Sequence, residues 1–271
     1  TNIADFPNIF CKFTHKIQND MEKLFLLDAY ALIYRAYYGF IKNPRINSKG
    51  ENTSAILGFV NTLEEILNKE NPQYIGVAFD PHGPTFRHDA FPDYKAQREE
   101  TPEGIRFAVP IIKDILKAYR IPVLEVNGYE ADDVIGTLAE QSKSLDEIDT
   151  YMMTPDKDYG QLVGKNVRIY KPRFDGGFDI IGEKEIIAKY DIENVAQVID
   201  LLGLMGDSSD NYPGCPGVGE KTAVKLIKEF GSIEALLANT DQLKGAMKKK
   251  VEEHIEDIKM SKFLAAIKTD V

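Results

Sequence analysis

The chain has 271 residues, 43% of them hydrophobic and 28% charged, which suits one large domain or two modest ones with the composition of an ordinary globular protein. No apolar run approaches the roughly 20 residues that a membrane-spanning helix needs. Cys11 and Cys215 give neither a metal-ligand spacing nor a disulfide framework, so a reducing cytosol is the simplest compartment. A net charge of −10, from 33 basic and 43 acidic residues, argues against a nucleic-acid coat protein, although acids that bind metal ions would have their charge offset locally.

Residues 1–20 show no clear period and no signal-peptide pattern, and are expected to be an extension outside the fold, which begins at Met21. Leu24 to Leu27 reads as a buried parallel strand ending in Asp28. A helix follows, containing Tyr34 and Arg35. A second is expected over Thr53 to Leu67, apolar at Ile56, Leu57, Val60, Leu63 and Ile66. Tyr74 to Phe79 is another strand, and it too ends in an acid, Asp80. Strands with C-terminal acids and intervening helices predict a doubly wound α/β sheet, which binds ligands beyond the carboxyl ends of its strands.

Residues 81–104 break this pattern with Pro81, Gly83, Pro84, Pro92 and Pro102, the basic residues Arg87, Lys95 and Arg98, and the aromatics Phe86, Phe91 and Tyr94. So long an excursion inside a compact domain is either functional or flexible, and its mix of cations and rings suits nucleic-acid contact. Ile105 to Tyr119 is an amphipathic helix and Ile121 to Val126 a strand. Then comes Gly128-Tyr-Glu130-Ala-Asp132-Asp133, opening a helix that runs to about Ser142. A strand at Thr150 to Thr154 leads to Asp156-Lys157-Asp158. Val167–Tyr170 and Phe178–Ile181 form an expected hairpin around Asp175-Gly176-Gly177. From Glu183 onward the pattern is helical.

Asp28, Asp80, Glu130, Asp132, Asp133, Asp156 and Asp158 therefore all fall where strands end. Ionised together they repel, at roughly 4 kcal/mol per close pair for an effective dielectric near 20. A helix N-terminus offsets part of that for the 130–133 group. Carboxylate oxygens without histidine or cysteine suit Mg²⁺ or Mn²⁺ rather than zinc. Gly206-Asp207-Ser-Ser-Asp210-Asn211 adds two acids. Pro213-Gly214-Cys-Pro-Gly217-Val-Gly219-Glu-Lys221-Thr222-Ala-Val-Lys225 follows as a glycine-rich turn that opens a helix with a basic face. Its backbone N–H groups can hold a phosphate without reading sequence, and no strand precedes it, which removes the dinucleotide-binding alternative.

Jointly, Leu27-Asp28, Tyr34-Arg35, Phe79-Asp80, Phe86-Arg87, Tyr94-Lys95, Arg98, the 128–133 group, Asp156-Lys-Asp158, the 206–211 loop and Pro216 to Thr222 resemble the 5′-nuclease domain family of bacterial DNA polymerase I, in the flap-endonuclease superfamily. The resemblance runs from about Leu24 to Val271. It implies a PIN/flap-endonuclease-like, parallel-type twisted sheet flanked by helices over 21–190, with a helical arch at about 81–104. Residues 191–271 would form a helical helix-three-turn-helix region that grips DNA. Asp28, Asp80, Glu130 and Asp132 would hold a first Mg²⁺, with Mn²⁺ as substitute. Asp133, Asp156, Asp158, Asp207 and Asp210 would serve a second. Lys95 and Arg98 would neutralise the scissile phosphate and Tyr94 would stack on an unpaired base. Arg35, Arg87, Gly214, Gly217, Gly219, Lys221, Thr222 and Lys225 would contact DNA, with K⁺ a candidate in the glycine turn. The implied reaction is two-metal hydrolysis of 5′ flaps, nicks and RNA primers, leaving a 5′-phosphate, by a cytoplasmic, nucleoid-associated bacterial monomer, either covalently linked to polymerase domains or a standalone 5′ nuclease. A DNA-structure-binding module without catalysis is the alternative from another class. Asp28 is followed by Ala29-Tyr30, which removes a haloacid-type phosphatase, and a small PIN-type ribonuclease would not carry residues 191–271.

Overall fold

The computed structural model describes residues 21–173 and 175–271, so the extension expected over residues 1–20 lies outside the described residues. Among the described residues, six strands form one sheet: β1 (Glu22–Asp28), β2 (Tyr74–Ala78), β3 (Val123–Leu124), β4 (Ile148–Met153), β5 (Val167–Pro172) and β6 (Phe178–Ile181). Their order is β3-β2-β1-β4-β5-β6, parallel except for β6, which pairs antiparallel with β5. The β5–β6 pair is the expected hairpin. Gly176 and Gly177 both take positive φ in its turn (91° and 74°), a conformation glycine adopts without a Cβ clash. The strand expected over Ile121 to Val126 shrinks to two residues, because it sits at the sheet edge with one neighbour and the chain turns away at Gly128.

β1 explains the layering. Its run Leu24-Phe25-Leu26-Leu27 is wholly buried, with Leu24 and Leu26 in one core cluster and Phe25 and Leu27 in another. That continuous apolar run is what a central parallel strand covered on both faces requires. Helices α1 (Ala29–Gly39), α2 (Ser54–Lys69) and, after the short α3 (Phe86–Ala90), α4 (Glu103–Ala118) cover the Phe25/Leu27 face. The inward row of α2 is Ala55, Phe59, Leu63 and Ile66, and Leu57 is exposed. Apolar residues on two sides of that helix disguise which side turns inward.

On the opposite face lies α5 (Ala131–Ser142). Behind it come α6 (Glu183–Tyr190), α7 (Gln197–Met205), α8 (Glu220–Phe230), α9 (Ile233–Ala238), α10 (Gly245–Glu253) and α11 (Ile255–Ala265). Leu201, Ile227, Leu236, Val251 and Ile258 from these helices share one cluster with Leu24, Leu26 and Met152 of the sheet. The helical C-terminal part thus packs directly onto the sheet. The carboxyl ends of β1, β2, β3 and β4 all open on the same edge.

Candidate active site

At that edge, acids double as helix caps. Asp28 closes β1 and is the N-cap of α1, its Oδ1 accepting the Ala31 N–H at 3.0 Å. Its Oδ2 accepts from the Thr154 and Tyr159 hydroxyls at 3.3 and 3.1 Å. Asp80, just beyond β2, accepts the Ala131 N–H at 2.7 Å. Glu130 is the N-cap of α5, and its own N–H donates to Asp133 Oδ2 at 3.0 Å. The first turn of α5 therefore collects carboxylates from two strand ends at the positive end of its dipole. Asp156 follows β4 and accepts the Asp158 N–H at 3.0 Å, at the start of a 3₁₀ turn over Asp158–Leu162.

Asp28, Asp80, Glu130, Asp132 and Asp156 line one cleft of about 650 Å³, together with Lys95, Arg98, Tyr30, Tyr34 and Tyr38. Arg98 and Lys95 tie Asp210 to its margin, and Asp158 and Asp207 stand outside its lining. Lys157 Nζ holds Asp207 at 2.9 Å and Arg98 holds Asp210 at 2.6 Å. The Lys95 amine binds Glu130 Oε1 at 2.7 Å, with Asp210 3.9 Å away. Among the described residues, no cation stands within 4 Å of Asp28, Asp80, Asp156 or Asp158. Nor do three Asp, Glu, His or Cys side chains among them converge as a preformed cage; the acids line the cleft wall instead.

The energetic signature is that of a cleft short of positive charge. Burial, then the neighbouring Asp80, pushes Asp28 up to about 7. Burial, then Asp156, does the same for Asp158, also to about 7. Partial desolvation by the surrounding cleft raises Asp80 as well, against the Ala131 hydrogen bond, although the residue itself stays exposed. Desolvation raises Asp132 far above the usual carboxylate range, with Asp133 and Glu130 adding to it against Arg87. Glu130 moves the other way: burial would raise it, but Lys95 and Arg87 together hold it below its ordinary value. Burial opposes protonation of Lys95, yet Glu130 and Asp210 keep it an ammonium ion. Among the described residues, Asp158 Oδ1 is a buried carboxylate oxygen without a hydrogen-bond partner.

Three residues expected at the chemistry or on DNA are placed elsewhere. Asp133, expected to serve the second metal, is 0% exposed, and both its oxygens are taken by Arg87 (2.7 and 2.8 Å) and by the Glu130 and Lys268 N–H groups. Arg87, expected on DNA, is 1% exposed at the other end of that pair. Tyr94, expected to stack on a base, is buried. Its hydroxyl donates to Glu130 Oε2 at 3.0 Å and lies 3.2 Å from Asp210 Oδ2, and burial followed by those acids drives its ionisation far upward. The first half of segment 81–104 is correspondingly docked. The Lys95 N–H bonds the Asp210 carbonyl at 2.9 Å and the Asn211 amide bonds the Asp93 carbonyl at 2.7 Å, leaving Ala96 to Glu100 exposed. Arg35 donates to the Arg173 carbonyl at the base of the hairpin.

The glycine turn is built as a helix start. Gly214 is buried at φ 59°, and a Cβ there would lie 2.3 Å from the Gly206 nitrogen, so no other residue fits. Gly217, at φ 77°, is exposed, and the Lys250 amine lies 2.7 Å from where its Cβ would stand. Gly219 is the N-cap of α8, from which Lys221 and Lys225 project into solvent beside the half-buried Thr222. Lys228, on the same helix, is spent on Asp191. Lys248 and Lys249 of α10 lie 3.8 and 3.7 Å from Glu252 and Glu253.

Residues that the sequence pattern left without a role include Thr154 and Tyr159, which hydrogen-bond Asp28, and Lys157, which pairs with Asp207. Tyr34 lines the cleft and reaches the Thr101 hydroxyl at 3.3 Å. Lys157 lies between two acids of a recognised motif, and that position was the available signal. Tyr159 carries none beyond following it.

A family model described as the 5′-3′ exonuclease N-terminal resolvase-like domain matches residues 23–191, and one for the 5′-3′ exonuclease C-terminal SAM fold matches residues 193–271. Among similar curated proteins, DNA polymerase I of Bacillus subtilis (strain 168) is 42% identical over 255 residues, 93% of this chain. The chain spans only 28% of that protein's length. A 5′-3′ exonuclease of Aquifex aeolicus (strain VF5) is 38% identical over 252 residues, and there the match covers 93% of this chain and 83% of the relative. Of solved structures, T5 5′-exonuclease with bound divalent metal ions (zinc) superposes with a TM-score of 0.74 at 21% identity, covering 90% of this chain and 89% of that one. The catalytic core of Rad2 in complex with DNA substrate gives 0.57 at 17%, covering 93% and 80%. These two likenesses establish the fold.

Proposed function

The chain belongs to the 5′-3′ exonuclease family, and we propose that it is a structure-specific 5′ nuclease that hydrolyses DNA or RNA phosphodiesters at 5′ flaps, nicks and RNA primers. The observation that carries this reading is the cleft in which Asp28, Asp80, Glu130, Asp132 and Asp156 meet Lys95 and Arg98. DNA polymerase I and a separate 5′-3′ exonuclease are both relatives, and the reading is the same for either setting. A bacterial cytoplasm and a monomer go with it; no helix among the described residues is long and apolar enough to cross a membrane.

The donor set fits hard divalent cations. It is all oxygen, burial and then neighbouring acids raise two of its members to about 7, and one buried carboxylate oxygen is unpartnered. Asp28, Asp80, Glu130 and Asp132 would hold one ion, and Asp156, Asp158, Asp207 and Asp210 the other, side chains turning from the cleft wall to do so. Mg²⁺, with Mn²⁺ as substitute, would supply a more acidic attacking water and stabilise charge on the leaving oxygen. K⁺ in the 214–222 turn would add a further cation beside the duplex backbone.

The chain's own groups do the remainder. Lys95, its side chain only 18% exposed, sits in a partly desolvated position where one positive charge acts strongly on a phosphate entering the cleft. Arg98, more exposed, supplies a second cation at the mouth. Tyr94 holds the Glu130 and Asp210 carboxylates toward each other, so the lysine is presented between them. The α8 N-terminus, with Lys221 and Lys225, suits the phosphate backbone of a duplex, a contact that positions without reading sequence. A 5′-flap duplex incubated with Mg²⁺ should be cut near the single-strand/duplex junction, and EDTA should stop the cutting. Tight binding with no cleavage in Mg²⁺ would instead assign the chain to DNA-structure recognition alone.

A further inference from the structure

We propose that Arg87 and the C-terminal strap Leu264–Val271 form a frame that positions the carboxylates of α5 and of the 3₁₀ turn, making the strap part of the active site although none of its side chains lines the cleft. Arg87 spends all five of its N–H donors. Nη1 bonds Glu130 Oε2 at 3.2 Å and Asp133 Oδ2 at 2.7 Å. Nη2 bonds Asp133 Oδ1 at 2.8 Å and the Ala266 carbonyl at 2.9 Å, and Nε bonds the Leu264 carbonyl at 2.9 Å. Asp133 in turn receives the Glu130 and Lys268 N–H groups at 3.0 and 2.8 Å. One guanidinium thus joins the base of segment 81–104, the first turn of α5 and the strap.

The strap then engages a second acid-bearing element. The Ile267 N–H donates to Gln161 Oε1 at 2.9 Å, and Gln161 Nε2 returns a bond to the Ala265 carbonyl at 3.0 Å. Gln161 lies in the 3₁₀ turn that Asp158 begins. Further along, the Val271 N–H bonds the Thr137 hydroxyl at 3.0 Å, and that hydroxyl donates to the Asp133 carbonyl at 2.8 Å. The strap lies flat on α5 because position 136 is glycine. A Cβ there would stand 2.7 Å from Ile267 Cγ2 and 3.0 Å from the Lys268 carbonyl oxygen. The strap converges, through buried charge, on the residues next to Glu130 and Asp132. Such outer groups fix the aim of the carboxylates they touch.

The inference rests on the nuclease reading of the cleft, and the test separates the two. Gly136→Ala inserts a methyl group under the strap without touching an acid, and Ile267→Ala in the same chain removes the side-chain atom it would strike. Readouts are Mn²⁺ affinity by electron paramagnetic resonance, amide exchange over residues 130–134, and single-turnover cleavage against duplex affinity. Gly136→Ala should weaken Mn²⁺ binding and slow cleavage about tenfold at unchanged duplex affinity, and speed exchange over 130–134, with Ile267→Ala restoring much of each. Thr137→Val, which removes the hydroxyl that accepts from Val271 and donates to the Asp133 carbonyl, is the milder probe and should move the same readouts in the same direction. Folded variants that keep wild-type Mn²⁺ affinity and exchange overturn the frame. Wild-type protein that cuts nothing in Mg²⁺ fails the nuclease reading instead.

Discussion

Removing divalent ions should make this protein less stable as pH rises from 5 to 8. Asp28 holds its proton up to about 7 in the folded chain, against 3.8 as its ordinary value. Between those two values the folded state binds more protons than the unfolded state, so the free energy of unfolding falls as pH rises, and the loss is complete above about 7. A shift from 3.8 to about 7 is roughly 3 units, and at 1.36 kcal/mol each the ceiling is about 4 kcal/mol. Asp158 has the same direction and size, but both acids face Asp156, so the two contributions do not add in full. Glu130 and Asp207 have lowered values, and their contribution is present above the unfolded carboxylate range and lost only as pH falls through it. They therefore stay ionised across this window. Urea unfolding in EDTA at pH 5 and pH 8 spans about 2 of those units, so the expected loss from Asp28 alone is up to about 3 kcal/mol. Saturating Mg²⁺ should remove most of it, and Asp28→Asn should raise the metal-free stability at pH 8. Metal-free stability that climbs from pH 5 to pH 8, or an Asp28→Asn protein less stable than wild type at pH 8, would refute the reasoning.

Arg87→Ala leaves Asp133 buried and unpaired, and should cost about 3–5 kcal/mol in urea unfolding; a loss under 1 kcal/mol would mean the pair carries little weight. Lys95→Ala should lower the single-turnover rate by about a hundredfold while duplex affinity changes little, and the reverse pattern would make Lys95 a steering charge only. Replacing Lys221 and Lys225 with alanine should weaken duplex binding alike for all sequences and reduce the salt dependence by about one phosphate each, as read from binding isotherms across a salt series.

The strands and their terminal acids were readable because both depend on local pattern. A buried apolar run such as Leu24 to Leu27 followed by Asp28 fixes a strand and the side of the sheet where its acid emerges. The glycine turn was readable for the same reason, since Gly219 and Lys221 mark a helix start within a few residues. What stayed hidden was division of labour inside the acid group. Asp132 and Asp133 are adjacent, yet Asp132 lines the cleft with Arg87 3.9 Å away, while Asp133 is wholly buried with both oxygens bonded to Arg87, and only the rotation of α5 between sheet and strap decides which. Arg87 and Tyr94 sit in a polar, proline-broken segment that reads as solvent-facing. Their partners lie at Asp133, Leu264, Ala266 and Asp210, too distant in the chain for any local rule. The same limit explains α2, whose inward row is set by packing against α1 and α4 rather than by its own composition.

The central claim is that acids at the strand ends perform the chemistry while the glycine turn and α8 hold the duplex. Asp132→Asn tests it most directly, with single-turnover cleavage of a 5′-flap duplex and duplex affinity measured on the same preparation. Cleavage should fall by at least about a hundred- to a thousandfold, with affinity and thermal unfolding close to wild type. Cleavage at the wild-type rate by the folded variant would contradict the account.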